Sequence, residues 1–150
     1  GMNYVRMHTG PHDPVVYEIA NEMGIYVCGE TALHGSFGDL ATGAPEFWDN
    51  AADHVRRFVK RDRNEACLVL WSAGNEMRWN APIDRTLREY PKIAAIMREL
   101  DPTRPVYFEG DSSLWDESAQ EIISRHYGLE IAGEGWWDKS RPLHVGEMGK

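Results

Sequence analysis

The chain has 150 residues and a formal net charge of -8, with 42% hydrophobic and 27% charged residues. That is enough chain for one domain with a core, and the acidic balance argues against a nucleic-acid partner, because phosphate binding wants a basic face. No apolar run approaches the roughly 20 residues needed to cross a bilayer, so no membrane segment is expected. The chain opens on Gly-Met and enters apolar sequence almost at once, so its natural start is expected to lie elsewhere. Cys28 and Cys67 sit in apolar runs without zinc-site spacing; buried free thiols are the expectation. Aromatic residues make up 11% of the chain, with six tryptophans. Flat aromatic surfaces suit sugar rings, and large cores use tryptophan too.

Tyr4-Val5-Arg6-Met7 is the first strand-like run. From Pro14 to Met23, Val15, Val16, Ile19 and Met23 recur at helical spacing, and Gly24 stands where a helix C-terminus favours glycine. Ile25 to Cys28 is the next strand, followed by a loop rich in Gly, Ala and Thr from Glu30 to about Pro45. Phe47 to Asp62 reads as a helix, with Trp48, Ala51, Ala52, Val55, Phe58 and Val59 on one stripe. Cys67 to Trp71 is the most apolar strand, and a helical pattern runs from Ile83 to Leu100 before Asp101-Pro102. Val106-Tyr107-Phe108, Ile122-Ile123 and Leu143-His144-Val145 are the last strands.

Continuously apolar strands alternating with helices predict an α/β fold with a parallel sheet buried on both faces. Two architectures remain open on this pattern. A complete (β/α)8 barrel needs about 250 residues, so six strands in this length make either an incomplete barrel or an open doubly wound sheet. The carboxylates bear on the choice. Glu30, Glu76, Glu109 and Glu147 each follow a strand, and in parallel α/β folds those strand ends share the face that carries the chemistry. Such a cluster suits a divalent metal or a pair of carboxyls in which one donates a proton while the other stays ionised, as glycoside hydrolysis requires. Polar loops after strands, in a chain with 24 acidic residues, are the bland alternative.

The segment Arg61-Asp62-Arg63-Asn64-Glu65-Ala66-Cys67-Leu68-Val69-Leu70-Trp71-Ser72-Ala73-Gly74-Asn75-Glu76 resembles the acid/base strand of glycoside hydrolase family 2, the β-galactosidase and β-glucuronidase family. That family writes it roughly R-D-[RK]-N-H-P-S-[VI]-x-x-W-S-x-G-N-E; Glu65-Ala66 replace His-Pro. Asn3 to Arg6 with Pro14, Tyr17 and Asn21 to Val27 resemble its second strand, helix and third strand. Asp101 to Val106 resembles the approach to the fifth strand, His126-Tyr127 the sixth, and Arg141 to Gly149 the seventh. The resemblance covers nearly the whole chain and implies a (β/α)8 TIM-barrel type, present as an incomplete barrel of about six parallel strands in one partial catalytic domain over residues 1–150.

The resemblance further implies hydrolysis of β-glycosidic bonds by a retaining double displacement, with Glu76 as general acid/base and Glu147 as nucleophile. Their carboxyl groups are then expected about 5–5.5 Å apart. It gives Asn75 the sugar 2-hydroxyl and sets Arg6 and Tyr127 beside Glu147. A plain surface ion pair for Arg6 and a core position for Tyr127 are the alternatives. His8, within His8-Thr9-Gly10-Pro11 where the family has His-Tyr-Pro, is a further candidate for the substrate site. So are Glu30 and His34, although the stretch between them is shorter than in magnesium-dependent β-galactosidases and lacks their acid. No metal and no cofactor are therefore expected. Trp137, with Trp136, would stack on the substrate or pack in its loop. The expected partner is a carbohydrate. Edges beside the second and seventh strands would favour self-association. Two other functions stay in view: a non-catalytic carbohydrate-binding remnant, and a metal-dependent hydrolase on a similar barrel, which would want paired His ligands absent here.

Overall fold

The structure, a computed structural model, describes residues 1–35, 41–80, 83–116, 120–127, 137 and 139–148. The elements run β1 (Tyr4–Arg6), α1 (Pro14–Met23), β2 (Tyr26–Glu30), α2 (Pro45–Asp62), β3 (Leu68–Asn75), α3 (Ile83–Leu100), β4 (Val106–Glu109), β5 (Ile123–His126) and β6 (Leu143–Glu147). Local chemistry explains their limits. Asp13 caps α1 by accepting from the Val15 amide, with Pro14 at the first helical position. Gly24 ends α1 in the left-handed conformation, φ 67°. Helix α2 begins two residues earlier than its apolar stripe suggests, because Pro45 is tolerated in a first helical turn.

All the described strand pairs are parallel. They form a four-stranded sheet in the order β1-β2-β3-β4 and a two-stranded sheet of β5 and β6. The expected six-stranded parallel array is therefore present, split into two ladders. β1 and β6 do not pair, yet their side chains meet: the Tyr4 hydroxyl lies 3.0 Å from His144 Nε2, and Arg6 Nη2 donates to Glu147 at 2.9 Å. The strands thus curl around a shared interior, as in a barrel.

The strands are buried on both faces, as expected, and the two faces differ in what they bury. Successive residues of a strand point to opposite sides, and here the sides differ. Val27, Leu68, Trp71, Ala73, Val106 and Phe108 join the core with Val55, Phe58 and Val59 of α2 and Ile93, Ala94 and Met97 of α3. Between them lie the inward residues, in two layers. The lower one holds Tyr4, Cys28, Leu70 and Tyr107; the upper one holds Arg6, Glu30, Glu109 and His126, joined by hydrogen bonds and ion pairs. The extension of β5 through Ser124, Arg125 and His126, beyond the apolar Ile122-Ile123, has the same cause. Cys28 and Cys67 are free and buried, as expected.

Candidate active site

The upper layer ends at the C-terminal ends of the strands, and the four glutamates meet there. Glu76 follows β3 directly, with φ 47° in the left-handed region. Tyr127, directly after β5, has φ 59°. Non-glycine residues in this region carry local strain and persist where the surroundings hold them. Glu76 is held by its own amide, which donates to the Glu109 carbonyl at 3.0 Å. The 3-10 turn Met77–Trp79 after it is held by Asp111, whose carboxylate accepts from the Met77 amide at 2.6 Å and from Arg78 Nε at 3.1 Å. Burial pushes the Asp111 carboxyl up to about 6, against the pull of Arg78 and the two backbone donors.

Glu147, at the end of β6, accepts from Arg6 Nη2 at 2.9 Å and from the Tyr127 hydroxyl at 2.8 Å. Burial opposes its ionisation, but the Tyr127 hydrogen bond and the nearby His126 and Arg6 charges hold its pKa below the usual carboxylate value. His8 Nε2 lies 3.4 Å from the same carboxylate. Burial and the adjacent Arg6 lower the His8 pKa, with Glu147 opposing. The His8 and His34 rings meet edge to face with centroids 5.8 Å apart, and His34 bridges to Asn75 at the end of β3.

Asn75 is buried, and its Oδ1 accepts from Arg6 Nη1 at 3.1 Å. Arg6 also donates to Glu30 at 2.8 Å and lies 3.7 Å from Glu109. One guanidinium on β1 therefore ties together residues from β2, β3, β4 and β6, and the surface ion pair is excluded. Glu30 is fully buried beneath Arg6. Burial raises its carboxyl to about 7 even with Arg6 against it. Trp137 is tied into its own loop, its indole nitrogen donating to the Arg141 carbonyl at 2.7 Å. Trp136 lies outside the described residues.

Sequence reasoning gave no role to His126, which is fully buried. Its Nδ1 lies 2.9 Å from Glu76 and its Nε2 2.8 Å from Glu109. The only signal was its place at a strand end, one residue before Tyr127. Glu109 was noted as a strand-end carboxylate without a part to play. It accepts from Ser124 and Tyr107, and Arg6 and His144 stand within ion-pair distance. Burial alone would raise its pKa; His126, His144 and Arg6 hold it well below the usual carboxylate range instead.

One ligand-type atom each from Glu76, His126 and Glu147 lies within 4.8 Å of the others. Arg6, Tyr127 and Glu109 already engage these groups. We assign no metal ligand among the described residues.

A profile described as glycosyl hydrolases family 2, TIM barrel domain, matches residues 1–134. The chain belongs to this family. The match includes Glu76 and ends before Glu147. Among curated relatives, the β-galactosidase of Priestia megaterium is 33% identical over 136 residues, covering 84% of this chain and 12% of that protein. The chain thus spans about an eighth of that relative's length. Among solved structures, a family 2 β-galacturonidase from Eisenbergiella tayi bound to galacturonate superposes with a TM-score of 0.78 at 20% identity, covering 98% of this chain and 29% of that one. A β-D-glucuronidase from Dictyoglomus thermophilum gives 0.73 at 18% identity, covering 98% and 30%. These two likenesses carry the TIM-barrel fold, and the chain is an incomplete barrel of that type.

Proposed function

We propose that this chain carries the catalytic residues of a retaining β-glycosidase. Glu147 attacks the anomeric carbon while Glu76 gives its proton to the departing oxygen; Glu76 then takes a proton from the water that releases the sugar. One observation carries the reading: a carboxylate oxygen of Glu147, held ionised by Arg6 and Tyr127, lies within 4.8 Å of one of Glu76. Nearest oxygens this close are compatible with the about 5–5.5 Å between carboxyl groups expected of a retaining pair. Asn75 is proposed to bind the sugar 2-hydroxyl, with His8, His34 and Trp137 around the substrate and Glu30 acting through Arg6. The partner is a carbohydrate, and no metal or cofactor takes part.

The test is hydrolysis of a panel of nitrophenyl β-glycosides by the full gene product, with the anomer formed first read by NMR. Retention of the β configuration is expected, and EDTA should leave turnover unchanged. Initial formation of the α anomer overturns the mechanism; saturable sugar binding without turnover favours the carbohydrate-binding remnant. Self-association belongs to the same proposal, supported by β1 at a sheet edge and by Val15, Ile19 and Met23 exposed one turn apart on α1. A monodisperse monomer of the 150-residue chain in light scattering would overturn that part.

A further inference from the structure

The buried imidazole of His126 has a carboxylate at each ring nitrogen, Glu76 at Nδ1 and Glu109 at Nε2. Only the protonated ring can donate to both. A neutral ring leaves a lone pair facing a carboxylate oxygen unless Glu76 itself holds the proton. Glu109 is not the group that takes it up, because Arg6, Tyr107, Ser124 and His144 all favour its ionised form. One proton is therefore left for Glu76 and His126 to share.

The backbone is shaped around this pair. A Cβ on Gly146 of β6 would come within 1.9 Å of Glu109 Oε1 and 2.9 Å of His126 Nε2. One on Gly110, whose φ is 68°, would come within 2.7 Å of His126 Nδ1. Two glycines thus leave a slot that the His126 and Glu109 side chains fill. Neither contact is needed to make a barrel interior, where apolar side chains would pack as well.

We propose that His126, clamped on Glu109, is the positioning residue of the acid/base: it aims the Glu76 carboxyl and shares with it the one proton that leaves with the glycosidic oxygen. The inference rests on the glycosidase reading given above. As the bond from the anomeric carbon to the departing oxygen breaks, its electron pair takes the proton from Glu76, and Glu147 forms the new bond to that carbon. In the second step a water O–H bond breaks; its proton goes to Glu76 and its oxygen displaces Glu147.

The groups facing His126 set when the proton is held. Glu76 comes from the end of β3, Glu109 from β4 and Glu147 from β6, with its oxygen 3.9 Å from Nδ1. Arg6 and His8 from the β1 end, and His144 from β6, oppose them through the same carboxylates. Burial favours the neutral ring, but the hydrogen bonds to Glu109 and Glu76 and the charge of Glu147 raise its pKa above the ordinary histidine value.

Two measurements test this, and the first needs no turnover. In 15N-histidine NMR of the 150-residue chain, His126 is expected to carry both ring protons at pH 7. Glu109→Gln should lower the pH at which it titrates by about one unit or more. Glu109→Asp, which draws the carboxylate back from Nε2, should move it in the same direction and serves if Glu109→Gln does not fold. A titration that neither variant moves overturns the proposal. The second uses the full gene product. His126→Gln should shift the alkaline limb of kcat/KM to lower pH by about one unit, and should slow alkyl glycosides more than dinitrophenyl ones. Equal losses with an unchanged pH profile mean a merely structural role and overturn it. Absence of turnover in the unaltered protein sinks the glycosidase reading instead, and the NMR arm still decides whether His126 shares its proton with Glu76.

Discussion

The outer and inner faces of the same four strands make opposite use of burial. On the outer side, Trp71 packs edge to face on Phe58 of α2 with centroids 5.1 Å apart. Its one polar atom donates to Asp101 at 2.8 Å. On the inner side the next residues along, such as Ser72 after Trp71 and Glu109 after Phe108, are equally buried and polar. Apolar packing there would cost less, since buried charge must be matched by partners. The inner face matches it with a single arginine and two histidines among four glutamates. Neighbouring residues such as Trp71 and Ser72, or Phe108 and Glu109, thus stand in different environments. Apolar packing against the helices lies on one side of the sheet and the charged cluster on the other.

Substitutions on the two sides should therefore fail in different ways. The largest expected effect is on the inner side: Glu147→Ala should cut turnover by at least about 10^4-fold, since no nucleophile remains for the first step. Its thermal melting point should stay close to that of the unaltered chain. A variant that loses its fold together with its activity would blur the division. Next, Glu76→Ala should slow glycosides with poor leaving groups by about 10^2–10^4-fold and spare dinitrophenyl ones in the first step; equal loss on both would remove Glu76 from the acid role. On the outer side, Trp71→Ala should cost about 3–5 kcal/mol in chemical denaturation, from the lost packing and the cavity left beside Phe58. A cost under about 1 kcal/mol would show that the outer face does not carry the stability.

The smallest effect concerns pH and sharpens the contrast between two carboxylates. Burial would raise the outer Asp101, but hydrogen bonds from Thr103, Trp71 and Arg104 hold it at about 2. A carboxyl depressed on folding adds stability above its unfolded value, here 3.8. That contribution, about 2 kcal/mol, disappears as pH falls through about 2. The inner Glu30 behaves in the opposite sense: with its folded value raised to about 7 from 4.5, the unfolded chain releases the proton first. Stability then declines as pH rises from about 4.5 to 7. Denaturant titrations across pH should show Asp101→Asn losing the acid-side slope and Glu30→Gln losing the neutral-side slope. Identical slopes in both variants would erase the distinction between the faces.

Much of the site was legible in the chain. Glu76 and Glu147 were marked by strand ends and by the resemblance of the segment Arg61 to Glu76, and Arg6, Asn75, Tyr127 and His8 were placed near them for the same reason. The structure brings these together. Glu30 was legible as a strand-end carboxylate but not as a buried one, because the arginine covering it lies 24 residues away. His126 escaped notice: a histidine beside a tyrosine carries no local pattern, and the polar residues Ser124 to His126 hid the length of their strand.

The order of strands and helices, the stop of α1 at Gly24, and the family follow from the sequence alone. Each depends on periodicity, turn chemistry or a motif within a short window. The interior could only be decided in three dimensions. The hydrogen-bonded chain from Glu76 through His126 to Glu109 joins residues 50 and 17 positions apart. Which carboxylate keeps its charge, and which shares a proton, depends on the partners those distances supply. Composition and spacing do not carry that information, because the field at a buried group is summed over neighbours that the chain brings together only when the strands curl.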